Sequence, residues 1–189
     1  LLPEDRTLSY PWVGMELIED HFETTHNQDQ IGRTEDVYLG KTLRLELGWT
    51  ADAFGGDRSA GIFAVSGRMG DYVGRRGLMF LESFWNGRLE SGRLADSLLS
   101  AGARYYLRFN AKNVFTAAVE GQHGFDLDVD HQLLLGGDTG LRGYPLRYQG
   151  GDTRALLSIE ERYYTDWFPF RLARVGAAVF ADMGRTWGE

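Results

Sequence analysis

The sequence predicts an all-β protein, an antiparallel meander of about eight long strands. Three features of its 189 residues carry that expectation. Apolar and polar residues alternate with a period of two in run after run, the mark of a strand with two unlike faces, while the helical period is scarce. Glycine-rich segments separate the runs, with 25 glycines against 4 prolines, and strands joined by such short turns pair antiparallel. No apolar stretch approaches the roughly 18 residues of a transmembrane helix, which excludes a helical membrane protein but not a membrane protein built of strands.

Taken in order, the first run (7–19) is the least regular and has Pro11 inside it. The second, 41–51, is the cleanest: Leu43, Leu45, Leu47, Trp49 and Ala51 alternate with Thr42, Arg44, Glu46, Gly48 and Thr50. In 61–69, Phe63, Val65 and Met69 oppose Ser66 and Arg68; in 78–89, Met79, Leu81, Trp85 and Leu89 oppose Glu82, Asn86 and Arg88. The run 98–107 sets Leu99, Ala101, Ala103, Tyr105 and Leu107 against Ser100, Gly102 and Arg104, and 113–123 sets Phe115, Ala117 and Val119 against Thr116, Glu120 and Gln122. Then 153–163 sets Ala155, Leu157, Ile159 and Tyr163 against Arg154, Ser158, Glu160 and Arg162, and 172–184 sets Val175, Ala177, Val179 and Ala181 against Arg174, Gly176, Ala178 and Asp182. Turns are expected at 54–57, 70–77, 86–92 and, most tightly, 109–112.

Two architectures use such a pattern. A soluble sandwich buries the apolar face and wets the other, whereas a transmembrane barrel turns the apolar face to lipid and the polar face inward. Arginines and carboxylates interleave on the polar face, Lys41 and Lys112 are the only lysines, and aromatics (Tyr10, Trp12, Trp85, Tyr105, Tyr163, Trp167, Trp187) gather near run ends, as in an interfacial girdle. Runs of this length also suit the ~9–11 residues that cross a bilayer at a tilt, so the pattern favours the barrel. A formal charge of −7 argues against nucleic acid as a partner, and the absence of cysteine excludes disulfide frameworks, zinc ribbons and thiol catalysis.

Barrels of this type alternate short periplasmic turns with longer external loops. With 109–112 periplasmic, the very long 125–151 segment is external, and 20–36 becomes an unusually long periplasmic connection that either holds extra structure or marks a misplaced first strand. The 125–151 segment contains Leu135-Gly136-Gly137-Asp138-Thr139-Gly140-Leu141-Arg142-Gly143-Tyr144-Pro145. Its leucines and tyrosines oppose disorder, and its glycines allow tight turns, so a compact plug with Arg142 near its tip is expected. An arginine tucked inward needs carboxylates. Glu160 and Asp182 lie on the polar faces of the next two runs, and a two-pronged arginine–carboxylate lock is the expected arrangement.

The motifs resemble a known family. Leu141-Arg142-Gly143-Tyr144 resembles the V/I-R-G-F/Y loop signature of the bacterial surface antigen superfamily of outer-membrane barrels, which includes the BamA-like and TamA-like assembly factors and the two-partner secretion transporters. Ser158-Ile159-Glu160-Glu161-Arg162-Tyr163 resembles its strand motif with an inward glutamate, and Phe180-Ala181-Asp182-Met183-Gly184 its F-x-D-x-G motif. The match is strong over 133–187 and weak before it. The resemblance implies a loop signature of Gly140, Leu141, Gly143 and Tyr144, with Arg142 docked on Glu160 and Asp182 inside the barrel. It implies a sixteen-strand barrel in which the eight runs are strands six to thirteen, making 1–189 a partial barrel domain without periplasmic repeats or terminal strands. The chain is thus expected to be a section of a longer protein, with edges that must pair elsewhere. The implied function is assembly or translocation of polypeptides at the outer membrane of a Gram-negative bacterium. Its partners would be outer-membrane lipid and a polypeptide client, with no catalysis, cofactor or metal. Two alternatives stay open: a barrel that anchors a surface or secreted hydrolase, and a soluble β-sandwich binding module.

Weaker motifs carry less. Gly40-Lys41-Thr42 ends like a phosphate-binding loop, but Glu35 stands where the first glycine belongs and the segment opens a strand. Asp126, Asp128 and Asp130 have calcium-loop spacing, yet His131 and Gly137 occupy the glycine and glutamate positions, leaving a solvated acidic loop or at most a weak cation site. His21 and His26 flank Glu23 without the spacing of a zinc protease.

Overall fold

The computed structural model describes residues 5–188. Its strands are β1 (Trp12–Ile18), β2 (Phe22–His26), β3 (Thr34–Tyr38), β4 (Lys41–Thr50), β5 (Ala60–Val73), β6 (Gly77–Glu90), β7 (Arg93–Arg108), β8 (Asn113–Phe125), β9 (Leu133–Leu135), β10 (Gln149–Gly151), β11 (Thr153–Tyr164) and β12 (Gly176–Trp187). One antiparallel eight-stranded sheet runs β1-β4-β5-β6-β7-β8-β11-β12, and each predicted run supplies one of its strands. The order is open, with β1 and β12 at the two edges and no pairing between them. Two small hairpins, β2–β3 and β9–β10, complete the architecture. Strand direction alternates, so the β8–β11 connection leaves one end of the sheet, termed upper, and the β1–β4 connection leaves the other.

Register keeps like residues on one face across strand after strand. Leu45 pairs with Val65, Val65 with Trp85, Trp85 with Leu99 and Leu99 with His123. The result is inside-out for a water-soluble sheet. Apolar-face side chains are bare: Val13 is 72% exposed, Val119 52% and Val179 77%. On the opposite face, Ser100, Thr116 and Arg88 are buried. No helix is long and apolar enough to cross a membrane among the described residues.

Several boundaries differ from the sequence reading. The first strand begins at Trp12 rather than at 7, although Pro11 still accepts a backbone bond from Trp49 N at 3.3 Å. The expected turn at 70–77 contracts because β5 runs to Val73 and β6 starts at Gly77. That at 86–92 contracts because Gly87 is no turn residue: it sits in a β-bulge where the register shifts between Asn86 and Arg88. A Cβ at Gly87 would lie 2.5 Å from the Ser97 Cβ, so only glycine admits the bulge. Ser97 closes it, donating to Asn86 O and accepting from Trp85 Nε1, both at 3.0 Å. The last strand starts at Gly176, not 172, because a short 3-10 turn occupies Pro169–Arg171.

The long 20–36 connection holds extra structure, the β2–β3 hairpin, and the first strand keeps its place. The hairpin lies on the polar face at the lower end. Val37 and Leu39 join Leu78, Tyr106, Val114 and Tyr164 in a buried cluster, with Ile31 and Phe80 packed against it. Its tip turns through Asn27 (φ 58) and Gly32 (φ 67) and is pinned to the β7–β8 turn by Asn27 Nδ2 donating to Ala111 O at 3.1 Å.

Candidate functional site

The β8–β11 connection folds as a compact unit on the polar face at the upper end. Its stem is the β9–β10 hairpin, in which Leu135 pairs with Gln149 and Leu133 with Gly151. Leu135 is fully buried and Leu141 nearly so. Between them Gly137–Thr139 makes one 3-10 turn, and Gly140 leaves it at φ 104, where a side chain would be strained. A Cβ at Gly140 would also lie 2.5 Å from Leu156 Cδ2. Backbone bonds from Leu141 N to Gly136 O (2.9 Å) and from Gly137 N to Pro145 O (3.1 Å) close the fold around Arg142.

Arg142 meets both predicted carboxylates. Its Nε and Nη2 donate to Asp182 Oδ2 and Oδ1, each at 2.8 Å, which is the planar two-pronged geometry. Its backbone N–H donates to Asp182 Oδ2 at 3.1 Å, and Nη1 bonds Glu160 Oε2. The guanidinium also lies 3.7 Å from the centroid of the Phe180 ring, a cation–π contact. Pairing register explains the convergence: Ser158 faces Asp182 and Glu160 faces Phe180, so the two carboxylates are diagonal neighbours on one face. The Asp182 side chain is only 2% exposed, and such a charge persists only when paired. The hydrogen bonds that Arg142 donates to Asp182, and after them the one to Glu160, raise its pKa against the opposing effect of burial, so the guanidinium stays charged.

No family model, curated protein or solved structure matches the chain. The site therefore rests on its own geometry. Of the loop-signature residues, Leu141 is the buried anchor, Gly140 and Gly143 (φ 84) take left-handed turns, and Tyr144 is exposed and packs its ring on Tyr148 at 5.0 Å.

Sequence reasoning missed two neighbours. Phe180 lies two residues before Asp182, and Arg162 two after Glu160, so period two puts both on the site's face. Arg162 Nε donates to Glu160 Oε1 at 2.5 Å. The acidic loop also differs from the expectation of solvated aspartates. Asp128 takes two bonds at 3.1 Å from the Arg88 guanidinium and pairs with Arg6, while Arg88 also reaches Glu90 and Asp96. Asp96, Asp128 and His131 bring three ligand atoms within 4.8 Å of one another, but a cation there would have to displace the two arginines from Asp128. The arrangement is an ion-pair network that ties the start of the loop to the β6–β7 end.

Proposed function

We propose that the chain is part of an outer-membrane β-barrel of the surface antigen type, one that assembles polypeptides into the outer membrane or translocates them across it. The observation that carries this reading is the inversion of the sheet, with bare aliphatic residues on one face and buried serine, threonine and arginine on the other. Lipid is the solvent that suits the first face, and an enclosed polar interior suits the second. Strands of 12 to 16 residues from β5 to β8 and in β11 and β12 exceed the ~9–11 needed to span a bilayer. The open edges at β1 and β12 call for further strands, and sixteen in all is the closure that the loop motifs imply. The same edges offer unpaired backbone to a client strand.

In this reading the loop seated by Arg142 is an internal plug that keeps the barrel competent, and the chemistry is binding and positioning without catalysis. A soluble sandwich would need a second layer over the apolar face, and the two small hairpins lie on the other one.

The test is fractionation and function of the full-length protein. It should sediment with outer membranes, resist carbonate extraction and migrate as a heat-modifiable band. Arg142→Ala should keep that band while losing export or insertion of a co-expressed polypeptide client, scored by protease accessibility at the cell surface. Recovery as a detergent-free soluble monomer would overturn the membrane reading, and an Arg142→Ala protein with full activity would overturn the lock.

A further inference from the structure

The β2–β3 hairpin and the Arg142 loop come from opposite ends of the sheet, yet their polar contacts form one chain. Glu160 is the shared member: Oε2 meets Arg142 and Oε1 meets Arg162. Arg162 in turn donates from Nη1 to Asp29 Oδ1 at 2.7 Å and to Gln28 O at 3.1 Å, both at the hairpin tip. The tip is held from two more sides. Tyr106 Oη donates to Asp29 Oδ2 at 3.0 Å and Tyr164 Oη to Gln28 O at 3.2 Å. Within the hairpin, the Glu35 carboxylate accepts the backbone N–H of Gln28 at 2.7 Å and of Asp29 at 3.1 Å, which fixes the tip in the shape that presents Asp29.

We propose that the β2–β3 hairpin is a second inward-folded plug whose seating is coupled to that of the Arg142 loop, with Arg162 as the positioning residue that acts through Glu160. The proposal rests on the reading of the loop as a seated plug and extends it to the opposite end of the sheet. The physical reason is the supply of charge. Arg142 and Arg162 approach the two oxygens of one carboxylate, with Asp182 as the further charged partner of Arg142 and Asp29 as that of Arg162. With Asp29 withdrawn, Arg162 loses a charged partner and is free to turn fully onto Glu160, competing with Arg142 for it. With Arg142 withdrawn, Glu160 is held by Arg162 alone, which pulls Arg162 off Asp29. Each plug thus weakens the other's hold when it leaves, and a client that lifts the hairpin from the lower side would loosen the loop on the upper side. Such coupling is reciprocal by necessity.

Hydrogen exchange on the full-length protein in detergent micelles reads the two plugs separately, over residues 139–144 and 25–36. Asp29→Asn should speed exchange about tenfold over 139–144 as well as over 25–36, with β6 and β7 still protected. Arg142→Ala should do the converse, speeding exchange over 25–36 by a similar factor. Arg162→Gln should loosen both segments. If Arg162→Gln also exposes β6 and β7, Asp29→Asn decides, because its side chain stands off the sheet. Faster exchange confined to 25–36 in Asp29→Asn overturns the coupling. Unchanged exchange over 139–144 in Arg142→Ala overturns instead the seating of the loop, so the two failures are distinct, and neither depends on a bilayer.

Discussion

At the scale of single residues, the site is organised by what burial does to the charge of Asp182. Its carboxylate is almost sealed from solvent and has Arg142 on both oxygens. Arg142→Ala leaves it buried without a counter-charge and should destabilise the fold by about 3 kcal/mol, read by denaturant unfolding. Arg142→Lys should recover less than half of that, because a single ammonium cannot reproduce the planar fork or the contact with Phe180. Glycines supply a second test. Gly140→Ala combines a positive φ with a collision on Leu156 and should cost at least about 1 kcal/mol. Gly121→Ala, where an added Cβ meets nothing within 4 Å, should stay within about 0.5 kcal/mol of the parent.

Among the elements, the β6–β7 hairpin depends on its bulge. Ser97→Ala removes the hydroxyl that serves Trp85 and Asn86 and should cost about 1–2 kcal/mol, with a shift in indole fluorescence. The bulge also shows where period-two reading stops. All eight strands of the large sheet were legible because each carries a mainly apolar face of period two, broken only at single positions such as Gly67, Ser83 and Glu161, but Gly87 looked like a turn because a glycine between strands and a glycine within a bulge are alike in sequence. The β2–β3 hairpin was legible only as an overlong connection. Its signal lay elsewhere, in Leu78, Phe80, Tyr106 and Val114, apolar residues at polar-face positions that make sense once a second layer covers them. Leu156 is the same signal under the loop. Arg142, Glu160 and Asp182 could be singled out because motif and parity agreed, whereas Asp29 could not, since its partner is 133 residues away and no local pattern links them.

For the molecule as a whole, the solvent of the apolar face decides between architectures, and one substitution interrogates it. Val119 is the central residue of β8 and faces outward. If that face meets lipid, Val119→Arg should cost about 2–4 kcal/mol on folding into vesicles; if it meets water, the change should be nearly silent. Orientation is open to experiment too. Strand alternation puts Lys41, the first residue of β4, and Lys112, in the β7–β8 turn, at the same end of the sheet. The 18 arginines left among the 20 basic residues are spread over both ends, but the side-chain amines of residues 1–189 stand on one rim alone. If the sheet sits in the outer membrane with this end on the periplasmic side, an amine-reactive reagent that cannot cross that membrane should leave these two lysines untouched in intact cells and modify them once the envelope is opened, which makes the scarcity of lysine a built-in compass for the protein.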